Sequence, residues 1–375
     1  MRRSLLFRLA SDLRKLPDHQ GWTRIPSTED DTPVASTRAG AAALVTGASR
    51  GIGTAQSDRA VSARSPDVRR QLGAHGLGQE SLADSKPMQI GVVYPQIELG
   101  GDPSAVRRFG RAVEDLGFDH VLAYDHVLGA VHADRTPQLS GPYTEHDPFH
   151  DPFVMFAYLA GITERIGFAT GILILPQRQT VLVARQAADV DLLSGGRLRL
   201  GVGVGWNYVE YEALGQDFRT RGARQEEQIE LLRRLFTEPV VDFSGRFDRV
   251  DRAALVPKPA RPIPIWLGGS SEVAFARAAR LADGFIFIGG DADHTIDAWE
   301  RLRDRVGGLG RSVEDFGGEY VWAPRGGTGD LTAAIDAWRE TGGTHVSVVT
   351  MGRGLDSVDG HIDYLASVAD ALSLS

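Results

Sequence analysis

The chain has 375 residues, 42% of them hydrophobic and 24% charged, and a formal net charge of −8. No apolar run reaches the roughly 18 residues that a transmembrane helix needs, so no membrane span is expected. The absence of cysteine excludes disulfides, thiolate metal ligands and cysteine nucleophiles, and suits a cytoplasmic protein.

Charge is divided unevenly along the chain. Residues 1–87 carry 13 Lys and Arg against 9 Asp and Glu, whereas residues 88–375 carry 28 against 40. So acidic a body argues against nucleic acid as a partner. The opening MRRSLLFRLASDLRKL is basic and amphipathic, but Arg8 interrupts its apolar residues and makes it a poor secretory signal. Within this segment, AALVTGASRGIG (42–53) resembles the first strand and glycine-rich turn of the short-chain dehydrogenases. The stretch after it has no apolar stripe, and no Tyr-x-x-x-Lys pair occurs in the chain. A glycine motif without its βαβ context predicts no working nucleotide site. Residues 1–87 are expected to be a largely disordered or loosely attached extension, a relic ahead of a working domain over 88–375.

From Met88 onward strands and helices alternate regularly. Apolar runs predict strands over 89–94, 119–124, 166–174, 197–204, 263–267, 284–288, 318–323 and 345–350. Helical spacing predicts helices over 103–116, 152–163, 178–194, 221–236, 270–282, 293–306, 329–341 and 356–372. Eight strands, each followed by a helix, predict a closed (β/α)8 barrel; a doubly wound open sheet is the alternative. Two insertions break the rhythm. Residues 127–151 are polar and proline-rich and follow the second strand, which places them over the catalytic face as a lid. Residues 240–256 predict a short hairpin turning at Ser244-Gly245.

The stretch from Arg165 to Trp206 is the clearest βαβ unit. Ile166 to Leu175 is a continuous apolar run, Val183, Ala184, Ala187 and Ala188 follow with helical spacing, and Gly195-Gly196 ends the helix. Gly171 interrupts the first strand, and Gly201, Gly203 and Gly205 punctuate the second. Glycine inside a strand marks either crowded packing or a close backbone approach by a ligand. At the end of the second predicted strand stand Asp125 and His126, where barrel enzymes keep catalytic groups. Histidine can shuttle a proton near neutrality. The segment PIPIWLGGSS (262–271), followed by a helix, offers free backbone N–H groups and the Ser270 and Ser271 hydroxyls to an anion such as a phosphate; Ser270 or Ser271 can equally serve as an N-cap. His146 and His150 have a His-x3-His spacing, but a proline-containing loop does not fix both rings, and no metal is expected.

These motifs together resemble one family. GFDHVLAYDHV (117–127), the strand with TGI (170–172), DLLSGGRLRLGVGVGW (191–206) with Glu210 beyond it, and PIPIWLGGSS…ARLADGFIF (262–287) are similar to the bacterial luciferase-like monooxygenases. The branch most like this chain uses the deazaflavin coenzyme F420. The resemblance covers Met88 to about Ala371 and implies a (β/α)8 barrel. It implies that Thr170, Gly171 and Ile172 form a bulge behind the cofactor ring, through a cis peptide at Gly171-Ile172. It places Gly203, Gly205 and Trp206 at the ring edge, and Gly268, Gly269, Ser270 and Ser271 around the cofactor phosphate. His126, beside Asp125, would lie over the ring near its hydride-carrying carbon. The implied activity is hydride transfer between F420 and a small organic substrate. The alternative is an FMN-dependent monooxygenase that uses molecular oxygen and a partner flavin reductase. Relatives pair through barrel helices, which implies a homodimer. One departure stands out: where relatives carry Arg-His-Pro after the third strand, this chain has Gln177-Arg178-Gln179-Thr180.

Overall fold

The computed structural model describes residues 87–289, 292–323 and 328–374. The expected extension, with its glycine motif at 42–53, lies outside the described residues.

The strands, in chain order, are β1 (Gln89–Val93), β2 (His120–Ala123), β3 (Gly167–Thr170), β4 (Leu173–Ile174) and β5 (Leu198–Gly203), then the hairpin strands β6 (Val241–Ser244) and β7 (Arg249–Ala253). β8 (Ile265–Gly268), β9 (Gly284–Ile288), β10 (Gly317–Trp322) and β11 (His345–Val348) complete the set. The α-helices are α1 (Pro103–Asp115), α2 (Pro152–Ala160), α3 (Thr180–Leu193), α4 (Tyr208–Ala213) and α5 (Arg221–Thr237) in the first half. α6 (Glu272–Leu281), α7 (Ala292–Gly308), α8 (Thr328–Glu340) and α9 (Val358–Leu372) follow. The main strands pair in parallel in the order β3-β2-β1-β11-β10-β9-β8-β5, and β5 pairs back onto β3 through Phe168↔Leu198 and Ala169↔Arg199. That last pairing closes the sheet, so the domain is the (β/α)8 barrel that the alternation predicts. β4 continues β3 beyond Gly171 and pairs with β5 at Leu173↔Val202.

Side-chain alternation along each strand builds two cores. Outward residues pack against the helices, with Trp299, Trp338, Phe156, Phe168 and Phe285 fully buried. Inward residues, among them Val93, Leu122, Ala169, Ile286 and Val321, each from a different strand, fill the barrel. Gly201 faces this interior, where a Cβ would strike the Thr170 carbonyl oxygen and come within 2.7 Å of Ile286 Cδ1. At this position crowded packing, rather than a ligand, accounts for the glycine.

Nearer the start of the strands the barrel interior turns polar. Glu319 of β10, wholly buried, accepts from Ser347 Oγ at 2.6 Å, pairs with His120 Nε2 at 2.7 Å and meets Arg199 Nη2 at 2.8 Å. The Arg199 guanidinium lies 4.2 Å over the Trp266 ring. Burial alone would raise the Glu319 pKa, yet the charge of Arg199, then that of His120, outweighs it and holds the carboxylate far below its ordinary range.

The expected hairpin is present, but its turn is longer than the Ser244-Gly245 dipeptide. Residues 245–248 make it, because Glu227 of α5 accepts from the backbone N–H groups of Arg246, Phe247 and Asp248 at 2.7, 2.8 and 2.7 Å. A distant carboxylate therefore fixes the turn, which local sequence does not reveal.

Candidate active site

A cavity of about 580 Å³ opens among the carboxyl ends of the strands. Its walls come from the segment just after β2 (Tyr124, Asp125, His126), from the β3–β4 break and β4 (Gly171, Ile172, Ile174), from the segment just after β5 (Val204, Gly205, Trp206) and from the end of β8 and the turn to α6 (Leu267 to Ser271). Barrel strands lying side by side thus carry a single wall from His126 to the start of α6.

The break in β3 is built by exclusion of side chains. The Gly171–Ile172 peptide is cis, where the resemblance placed it. Thr170 Oγ1 donates to the Gly201 carbonyl at 2.6 Å, and a Cβ on Gly171 would collide with the Leu122 side chain. The Ile172 side chain fills a socket left by two glycines: a Cβ on Gly203 would overlap its Cδ1, and one on Gly268 would sit 2.7 Å from its Cγ2. Gly205 takes φ +62° and Gly269 φ +148°, backbone angles that side chains disfavour. Of the residues expected to hold a cofactor, Gly171, Ile172, Gly205, Trp206, Gly268, Gly269, Ser270 and Ser271 line the cavity. Thr170 and Gly203 stand behind that wall and shape it.

His126 is oriented by a partner whose role the sequence reading did not assign. Glu210 of α4, 1% exposed, brings Oε1 to 3.1 Å from His126 Nδ1, and the same oxygen accepts from the N–H groups of Val127 and Leu128 at 2.8 and 3.1 Å. A carboxylate can only accept, so it places the ring proton on Nδ1 and leaves Nε2 of the neutral imidazole as an acceptor. Phe149, Tyr143 and Trp206 enclose the ring, with centroids at 4.8, 5.3 and 5.5 Å. Glu210 stood in the matched motif, but nothing in one sequence showed that α4 turns it back onto β2.

Asp125 is engaged at both oxygens. Oδ2 accepts from the Ile174 N–H at 2.9 Å, and Oδ1 receives Arg178 Nη2 at 2.6 Å. Arg178 Nη1 reaches Asp151 Oδ2 at 3.1 Å, and Asp151 also caps α2 through the Phe153 and Val154 N–H groups. Burial penalises the Arg178 charge, but Asp125 and Asp151 outweigh that penalty and raise its pKa above the ordinary value. The segment that departs from the relatives is therefore clamped through its arginine.

The predicted lid, residues 127–151, reaches the site. Pro142 and Tyr143 line the cavity, Gly141 lies against the Trp206 ring with no room for a Cβ, and the Tyr208 hydroxyl donates to the Pro137 carbonyl at 2.7 Å. At the opposite end, Ser271 caps α6 by accepting from the Ala274 N–H at 3.2 Å. Gln225 and Arg277 also face the cavity; Gln225 Nε2 is buried without a partner, and Arg277 Nε donates to Glu226 at 3.0 Å. Both sit on helix faces, where a single sequence gives no functional signal. His132 bonds the Tyr143 carbonyl at 3.0 Å, and His146 lies 3.2 Å from Glu145.

Comparison with known proteins agrees with this architecture. Residues 87–317 match the family model described as luciferase-like monooxygenase. An uncharacterized protein of Mycobacterium tuberculosis is 36% identical over 204 residues, which are 52% of this chain and 70% of that protein. The F420-dependent glucose-6-phosphate dehydrogenase of Nakamurella multipartita is 32% identical over 238 residues, covering 61% of this chain and 65% of its own. Among solved structures, an F420-dependent secondary alcohol dehydrogenase in complex with an F420-acetone adduct superposes with a TM-score of 0.63 at 15% identity, over 76% of this chain and 99% of its own.

Proposed function

Because the chain belongs to the luciferase-like monooxygenase family, we propose that this oxidoreductase transfers hydride between coenzyme F420 and a small organic substrate. One observation carries the reading: a single cavity joins His126 to the N-terminus of α6. The residues present fit a flat ring with an anionic tail. The Gly171–Ile172 break offers an apolar platform and Gly205 and Trp206 an edge, and Gln225, whose Nε2 is buried without a partner, lines the same cavity. Gly268, Gly269, Ser270 and Ser271 present backbone N–H groups and hydroxyls at a helix start, where the dipole favours a phosphate. The F420-dependent relative supports the choice of deazaflavin.

When bound, the deazaflavin supplies the hydride chemistry. The chain supplies the rest. Trp206, Tyr143 and the lid exclude water, and Glu210 holds His126 with Nε2 free to take a proton from the substrate oxygen or return one. Asp125, with one oxygen on the Ile174 N–H and the other on Arg178, positions that wall of the site.

FMN has a similar flat tricyclic ring and a phosphate, and since the family is described as luciferase-like monooxygenase, an FMN-dependent monooxygenase with a partner flavin reductase is the second reading. Absorbance titration of the protein with each cofactor, before and after a reductant, separates them. Saturable F420 binding with weaker FMN binding supports the first; the reverse order supports the second.

No helix among the described residues is long and apolar enough to cross a membrane. A homodimer is supported by apolar residues left outward on adjacent helices: Val154 and Tyr158 of α2 at 68% and 45% exposure, and Val181 and Leu182 of α3 at 47% and 52%. Val154→Lys should shift the protein from dimer to monomer in sedimentation; a monomeric wild type contradicts the pairing.

A further inference from the structure

We propose that the barrel carries a second ligand site, at the amino ends of its strands, and that this site takes inorganic hydrogen phosphate. In a (β/α)8 barrel that face ordinarily serves stability, so its buried polar groups should be satisfied internally. Here they are not. A cavity of about 510 Å³ opens there, lined by His120 of β2, Arg199 of β5 and Trp266 of β8 together with Arg165, Arg197 and Arg261. Its volume falls within the range of small-molecule sites, roughly 300–1,000 Å³. β5 starts at this cavity with Arg199, and the chain beyond it lines the other cavity with Gly205 and Trp206, so the two lie at opposite ends of the barrel.

Two buried groups in the wall lack partners. Arg199 Nη2 is 2.8 Å from Glu319 Oε2, but at an angle that makes no hydrogen bond, so neither Nη1 nor Nη2 has an acceptor among the described residues. A guanidinium holds its donors in a planar fork, and leaving them unmet inside a protein is costly. His120 is 5% exposed. Glu319 accepts from its Nε2, which leaves Nδ1 of the neutral imidazole as an acceptor, and that atom too is buried without a partner. Because His120 and Arg199 both touch Glu319, the unmet acceptor and the unmet donors stand close together. The other arginines add charge more than hydrogen bonds. Arg197 directs Nε, Nη1 and Nη2 to Ser194, Ile166 and Thr163, and Arg261 directs Nε and Nη2 to Gly196 and Asp191. Asp119 also lines the cavity, and its Oδ2 accepts from the Ile90 N–H at 2.7 Å.

The ligand that answers both needs is an oxyanion that still carries a hydroxyl. Its unprotonated oxygens accept from the Arg199 fork, whose geometry suits phosphate, while its O–H donates to His120 Nδ1. Hydrogen phosphate has both features near neutrality. Sulfate has no proton to donate, and a phosphate monoester, with a second pKa of about 6, has lost its own by about pH 8.

Calorimetry at about pH 8 on the full chain carrying Ser270→Asp tests the site, because that change repels anions from the β8–α6 turn and leaves the amino ends of the strands untouched. Saturable phosphate binding is expected, with sulfate and phenyl phosphate weaker by about tenfold or more. Adding Arg199→Lys keeps the charge beside Glu319 but removes the planar fork, and should weaken phosphate about tenfold or more. Arg165→Ala, at an exposed position, should weaken it about threefold with the unfolding temperature unchanged. No saturation up to about 10 mM phosphate overturns the proposal. So does sulfate binding as tightly as phosphate, or an affinity that neither arginine change lowers. The F420 reading is independent of each of these results.

Discussion

His126→Ala should lower turnover by about 100- to 10,000-fold, the usual range for a positioned general acid or base. The dissociation constant for F420 should change by no more than about threefold, because in the proposed arrangement the imidazole faces the substrate while the cofactor tail rests on Gly268–Ser271, at the other end of the cavity. The physical reason is the pinned tautomer. Glu210 Oε1 accepts from Nδ1–H at 3.1 Å, so Nε2 is left as the acceptor, and rings on three sides prevent the imidazole from turning away. Glu210→Gln is the informative companion. An amide can present its N–H₂ to Nδ1 and reverse the tautomer, so activity should fall although the ring stays in place. Steady-state kcat and KM with separate F420 titrations check both variants. Unchanged turnover in His126→Ala would remove it from the chemistry.

The second large effect concerns the folded state. Glu319→Gln removes the negative charge that Arg199 and His120 surround inside the barrel and leaves a buried guanidinium uncompensated. Breaking a buried pair from one side costs about 3–5 kcal/mol. Thermal or denaturant unfolding of the full chain should show that loss, whereas an exposed pair such as Arg339–Asp336 should contribute well under 1 kcal/mol. The same cluster sets the response to acid. Burial, together with Arg199, lowers the His345 pKa well below its ordinary 6.5, so the folded protein resists a proton that the unfolded chain accepts. Glu319, ordinarily near 4.5, is lowered as well. In both cases the unfolded state binds more protons, so stability is present at neutral pH and falls as the pH drops. The loss should begin below about pH 6.5 through His345 and continue below about 4.5 through Glu319. Glu319→Gln should abolish the lower step and retain the upper one; a stability that is flat from pH 7 to 4 would contradict this account of the cluster.

Much of the barrel was legible because its signals are local and repeated. Strand runs such as Leu198–Gly203 are buried on both faces, so their apolar character shows without knowledge of the partner strands. Helix starts at Asp102-Pro103, Asp151-Pro152 and Ser271 announce themselves through a capping side chain. The glycines were ambiguous for a sound reason. Gly201 and Gly203 are small because Thr170, Ile286 and Ile172 crowd them, whereas Gly268 and Gly269 also leave backbone open to the cavity. Sequence shows the missing side chain but not what occupies its space. Residues acting across long separations were illegible for the same reason. Glu210 meets His126 over 84 positions, Arg178 meets Asp125 over 53, and Glu227 ties a turn 19 to 21 residues away. Each depends on how helices pack around the closed barrel, and no periodicity records that.

The central claim is that one cavity holds a redox cofactor with its anionic tail on the β8–α6 turn and its reactive centre facing His126. Ser270→Asp tests it most directly, because Ser270 is exposed and the change adds a negative charge where the tail should lie without disturbing the core. The account predicts that F420 affinity falls about tenfold or more through like-charge repulsion, with the unfolding temperature unchanged. An F420 affinity equal to that of the wild type would contradict it.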